Sequence, residues 1–250
     1  MKRYGLIIAN PGEVGDENYC EGVNKDILNY ENFLCSPVGG AWNKSEIKIL
    51  KKPTTLDVQI AIIQANQADY AFIVFAGHGY YSDNKKSTIL HLRPGIEIDS
   101  AELRQGAKKQ TVILDCCRKI ERPRLVEKRA ALAFEEGAIS HISAVNCRKY
   151  FDKEIESCPD SLVVVHSCSI DQKAGDDPEQ GGYYSYSLID CTNDWASGLP
   201  FNPSHYYSQS IAKVHETAAV QVSRLSGNRQ TPQIEKPRST PYFPFGIVAW

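Results

Sequence analysis

An apolar run, Thr111-Val-Ile-Leu114, stops abruptly at Asp115-Cys116-Cys117-Arg118. Short continuous apolar runs bounded by polar residues belong to strands buried on both faces of a parallel sheet. In such sheets ligands gather outside the carboxyl ends of the strands. The run therefore predicts an α/β fold and places Asp115, Cys116 and Cys117 where a substrate would lie. Tyr70 to Ala76 has the same form and leads into Gly77-His78-Gly79, and Tyr4 to Ala9 and Ser161 to His166 are further runs of this kind. If the first two runs share one parallel sheet, their carboxyl ends coincide and His78 can face a cysteine. A thiol near its free pKa is mostly protonated, and an adjacent imidazole is expected to raise its thiolate fraction.

The intervening residues supply the other layers. Val23, Ile27, Tyr30 and Leu34 recur at helical spacing, predicting a helix from Gly22 through Leu34 that covers one face of the sheet. Glu46 to Leu50 alternates as a strand, and Thr54 to Asp57 has capping-box character for a helix carrying Leu56, Ile60 and Ile63. Ser82 to Ser87 reads as a hairpin turn, and Asp99 to Glu102 as another capped helix start. Residues 118–136 are basic and contain Pro123, as an exposed loop would. Asn146 to Cys158 is helical in character, and Tyr242 to Ala249 reads as a last strand. This order predicts a three-layer α/β sandwich, a mostly parallel central sheet with helices on both faces. Its length of 250 residues suits a single domain spanning 1–250.

Composition narrows the function classes. A net charge of −2 gives no nucleic-acid footprint, and no apolar run approaches membrane-spanning length. The first strand begins too early for an export signal, which implies a cytoplasmic protein with reduced thiols. The 8 cysteines are scattered without a Cys-x-x-Cys pair, so neither zinc nor a disulfide framework is expected, and no metal or cofactor is predicted. His91, His141, His166, His205 and His215 have no paired nucleophile or ligand spacing, and no Gly-x-Ser-x-Gly elbow is present.

Ala76-Gly77-His78-Gly79 together with Asp115-Cys116-Cys117-Arg118 resembles the catalytic histidine and cysteine segments of caspases and, more closely, of metacaspases and bacterial caspase-like peptidases. In those families the cysteine stands two residues after an Asp or Gln, which selects Cys117 over Cys116. Lys119 departs from the glycine of the caspase signature. Asn24-Lys-Asp26 is similar to the stretch that opens the first metacaspase helix, and Asp26 is expected to be structural. Asp171-Gln172, followed by acidic residues, by Gly181-Gly-Tyr and by a hydroxyl residue at a helix start, is a second point of similarity.

The resemblance implies a cysteine endopeptidase acting on protein or peptide substrates, with Cys117 as nucleophile and His78 as general acid. The backbone N–H groups of Gly79 and Cys117 are the expected oxyanion donors. Counting onward from Asp171-Gln172, Asp176 falls in the substrate pocket, which predicts cleavage after Arg or Lys. Asp16 is a second pocket candidate, and Asp115 stands at the same strand edge. An alternative for Asp176, Asp177 and Glu179 is a calcium site, as some metacaspases use. The family pattern also implies a larger-subunit-like part to about residue 125, a basic connection over about 118–145 and a smaller-subunit-like part beyond it. Self-cleavage would fall between Lys119 and Lys149. Stand-alone proteins of this kind resemble bacterial proteases of regulated cell death or antiviral defence, with an activating partner left open. A catalytically silent binding module and a non-proteolytic thiol hydrolase are the competing readings.

Overall fold

The computed structural model describes residues 1–120 and 142–250. The first half runs β1 (Arg3–Asn10), α1 (Gly22–Cys35), β2 (Ile47–Lys51), α2 (Thr55–Asn66), β3 (Tyr70–Gly77), β4 (Gly79–Ser82), β5 (Ser87–Arg93), β6 (Ile96–Asp99) and β7 (Lys109–Cys116). The second half runs α3 (Ala144–Ser157), β8 (Ser161–His166), β9 (Asp176–Asp177), β10 (Gly181–Gly182), α4 (Tyr183–Ser197), β11 (Tyr206–Ser210), α5 (Ile211–Leu225), β12 (Gln233–Glu235) and β13 (Pro244–Ala249).

The central sheet has the order β12-β8-β7-β3-β1-β2. Its pairings are parallel except at β12, which lies antiparallel on β8. Alternation along the strands divides the core in two. Ile7, Phe72, Val74, Ile113 and Val165 face α1, α3, α4, α5 and β13. Leu6, Ile8, Ile73, Phe75, Val112 and Leu114 face α2, β5 and β6. The three-layer sandwich around a mostly parallel sheet is therefore the architecture, although one outer layer combines one described α-helix and a short 3-10 turn at Ser100–Arg104 with the β4-β5-β6 meander.

Arg3 ties the larger layer to the sheet. The residue is 2% exposed. Its guanidinium donates to Asp152 at 2.7 Å, to the Gly40 carbonyl at 2.6 Å and to the Arg148 carbonyl at 3.0 Å, packed against the Trp42 and Phe151 rings.

One sequence expectation needs correction. Leu56, Ile60 and Ile63 are exposed, and α2 instead packs through Val58, Ala61, Ile62 and Ala65. Both stripes recur at helical spacing, so periodicity alone does not choose between them, whereas two alanines allow closer approach to the sheet. The C-terminal strand exists as β13, but it pairs with β11 outside the central sheet. Reading the sequence also passed over β11, α5 and β12. The basic connection falls mostly on residues 121–141, outside those described, as does His141. The expected self-cleavage span lies largely there too.

Candidate active site

Register places the two chemical residues. Gly77 pairs with Cys116 across the parallel β3–β7 ladder, so His78 and Cys117 are the first residues beyond two adjacent strand ends. On the other side Gly77 pairs with Asn10, which brings the start of the β1–α1 loop beside His78. Alternation settles the neighbours of Cys117. Cys116 turns into the core under the meander, 1% exposed, while Asp115 turns toward α1 and α4. A Cβ on Gly79 would stand 2.9 Å from Cys116 Sγ and 2.8 Å from the Ile89 carbonyl, so only glycine lets the chain after His78 lie this close to the cysteine strand. All 8 cysteines are free thiols.

His78 and Cys117 line one cavity of about 30 Å³ together with Cys20, Asp26, Asp115, Ala174 and Asp176. That is room for one or two water molecules, far less than an amino-acid side chain needs. Cys117 Sγ donates weakly to the Ala174 carbonyl at 3.7 Å. Burial pushes the Cys117 thiol up, with Lys173 working against it. Burial, reinforced by His91, pushes the His78 imidazole down, and the Asn18 and Pro11 carbonyls and Asp176 oppose this without reversing it. The resting pair is therefore neutral thiol and neutral imidazole. Burial thus works against the raised thiolate fraction expected from an adjacent imidazole. His78 Nε2 is buried without a hydrogen-bond partner.

Three carboxylates share the cavity, and no lysine or arginine does among the described residues. Asp115 accepts from the Ser185 backbone N–H at 3.0 Å and from its hydroxyl at 2.6 Å. Asp26 accepts from the Gly182 N–H at 2.9 Å. Both therefore serve the first turn of α4, whose N-cap residue Gly182 has no side chain to do so. A Cβ there would come within 2.5 Å of Asp115 Oδ2. Asp176 accepts from the Gly22 N–H at 3.3 Å. Burial pushes all three carboxyls up, Asp26 well above its usual range, and each is raised further by a neighbouring carboxylate.

Of the residues expected at the site, Cys117, His78, Asp115 and Asp176 are brought together, and Gly79 follows His78 at the start of β4. Asp16 stands on an exposed turn outside the cavity lining. Sequence reasoning overlooked Cys20 and Ala174, and it gave Asp26 a structural role only. Among the described residues no cluster of three or more His, Cys, Asp or Glu is arranged to hold a metal ion. No described helix is long and apolar enough to cross a membrane.

A mostly parallel sheet that presents a thiol and an imidazole on neighbouring strand ends is the class of α/β protein seen here. The Peptidase_C14 caspase-domain family model matches residues 2–244, and the chain belongs to that family of cysteine peptidases. Its fold is similar to the crystal structure of caspase-1 from Spodoptera frugiperda, with a TM-score of 0.57 at 11% identity, covering 94% of this chain and 86% of that one. No curated protein matches it in sequence.

Proposed function

We propose that this chain is a cysteine endopeptidase in which Cys117 attacks the peptide carbonyl and His78 moves the protons, with cleavage after Arg or Lys. The observation that carries the reading is the shared cavity, where the Cys117 and Cys20 thiols, one imidazole with an unpartnered nitrogen and three carboxylates converge. Starting from the neutral pair, His78 takes the thiol proton as sulfur bonds to carbon, then delivers it to the departing amine. Water resolves the thioester, His78 accepting its proton and returning it to sulfur as the acid leaves. The backbone N–H groups of Gly79 and Cys117 are assigned to the oxyanion, since Cys117 lines the cavity beyond the end of β7 and Gly79 follows His78 at the start of β4.

The carboxylates account for the selectivity. Asp26, Asp115 and Asp176 are held together against mutual repulsion with no cationic side chain lining their cavity. A guanidinium or ammonium entering as the closed cavity widens would relieve that cost, whereas an acidic side chain would add to it. Asp176, whose carboxylate accepts from the Gly22 N–H at 3.3 Å and not from the first turn of α4, is assigned as its main partner.

Fluorogenic peptides differing only in the residue before the scissile bond test both parts. Turnover should be confined to Arg and Lys peptides and vanish in Cys117→Ala. Asp176→Ala should lower it by about one to three orders of magnitude. Preference for Asp or Leu would overturn the pocket assignment and leave the Cys/His chemistry standing.

A further inference from the structure

Gln230 belongs to no element of the sheet and lies far from the cysteine and histidine in sequence, yet it is 1% exposed. Its backbone is fixed at the end of α5, where the Ser226 hydroxyl accepts from the Gln230 N–H at 3.1 Å and from the Arg229 N–H at 3.2 Å. The side-chain amide then spans two segments. Nε2 donates to the Ser167 carbonyl at 2.8 Å, and Oε1 accepts from the Gly175 N–H at 2.9 Å. Ser167 is joined to the end of β7, its N–H donating to the Leu114 carbonyl at 3.0 Å and its hydroxyl to the Cys116 carbonyl at 3.2 Å. Gly175 stands between Ala174, whose carbonyl meets Cys117 Sγ, and Asp176.

Thr231 doubles the clamp, its N–H donating to Gln172 Oε1 at 2.7 Å and its carbonyl accepting from the Ser169 hydroxyl at 2.9 Å. No strand forms between Ser167 and Gly175, but the Arg118 backbone holds this segment, its N–H donating to the Gln172 carbonyl at 3.0 Å and its carbonyl accepting from the Asp171 N–H at 2.9 Å. The Gln230 amide adds a further tie, joining Ser167 at the nucleophile's strand directly to the Gly175 N–H in the cavity wall.

We propose that Gln230 is a positioning residue for substrate selection: by bridging Ser167 and Gly175 it fixes the Ala174–Asp176 wall against Cys117 and so sets the affinity for the side chain the cavity receives. This rests on the reading that the cavity is the substrate pocket. Gln230 touches no reacting atom. It acts through Gly175, so its loss should weaken binding and leave the chemical step largely intact.

The test uses the full chain with Gln230→Met, similar in length but without the amide, and Gln230→Glu. For an Arg peptide, Gln230→Met should raise KM by about 10- to 100-fold with kcat within about threefold of the parent. The Glu side chain reproduces both hydrogen bonds only when protonated, since a carboxylate accepts from Gly175 but has no proton for Ser167. Gln230→Glu should therefore keep a KM close to the parent's at low pH and exceed it increasingly as pH rises, read as the ratio of the two at each pH. Amide hydrogen exchange at Gly175 should quicken at least about tenfold in Gln230→Met while amides in α4 and β8 keep their rates. Unchanged exchange at Gly175, or a loss of kcat and thermal stability with KM unmoved, would overturn the assignment. If the parent turns over no peptide, the functional reading fails, and the exchange measurement alone decides whether Gln230 holds the wall.

Discussion

Cys116 and Cys117 are adjacent in sequence and opposite in fate, because alternation buries one in the core and the end of the strand releases the other into the cavity. Cys117→Ala is expected to abolish turnover and Cys116→Ala to retain a measurable fraction, which peptide assays on both variants would check. The neutral resting pair has its own signature. His78 titrates below its ordinary value and Cys117 above, so kcat/KM should fall only on the acid side, with a midpoint below about pH 6.5, and hold to about pH 9. A midpoint above pH 7 in profiles from pH 4.5 to 9 would contradict it. Both residues were legible in the sequence because strand ends and flanking glycines mark them. Asp26 was not, since an acid in the second turn of an amphipathic helix ordinarily faces solvent. Gln230 left no signal at all, because its partners are backbone groups far away in sequence.

At the scale of elements, the strands were the most readable, each apolar run reappearing within two residues of its expected bounds. Helix faces were harder, as α2 shows, because Leu56, Ile60 and Ile63 mimic a buried stripe. The start of α4 depends on side chains from β7 and α1 in place of a local cap. Asp115→Ala should cost about 1–2 kcal/mol, read as a drop in melting temperature. Asp115→Asn, which still offers an oxygen to Ser185, should lose much less. Equal losses in the two variants would show that charge, and not the hydrogen bond, holds the turn. Arg3 makes the corresponding test for the larger layer. Arg3→Met should destabilise by about 3 kcal/mol through the orphaned Asp152 and two unpaired carbonyls, measurable by urea denaturation.

For the molecule as a whole, acid stability should carry the mark of one buried imidazole. His215 is 7% exposed and bonded to the Tyr184 hydroxyl at 2.7 Å. Burial pushes its pKa down to about 4. The unfolded chain takes up this proton below about pH 6.5 and the folded chain only near 4, so stability is lost across that window and the loss is complete below it. Relative to His215→Gln, the parent should lose about 2 kcal/mol between pH 7 and pH 5 in denaturant titrations. A constant difference between the two would remove His215 from the account. Such terms come from three-dimensional burial, which the residue order around His215 does not display.

The crowded carboxylates of the cavity also make ligand capture a proton-exchange event. Groups whose pKa is raised in the empty site must give up any proton they hold when a cation settles among them. Calorimetric titration of an Arg-terminated peptide aldehyde should therefore return apparent heats that vary with the ionisation enthalpy of the buffer. The slope of heat against that enthalpy would count the protons released.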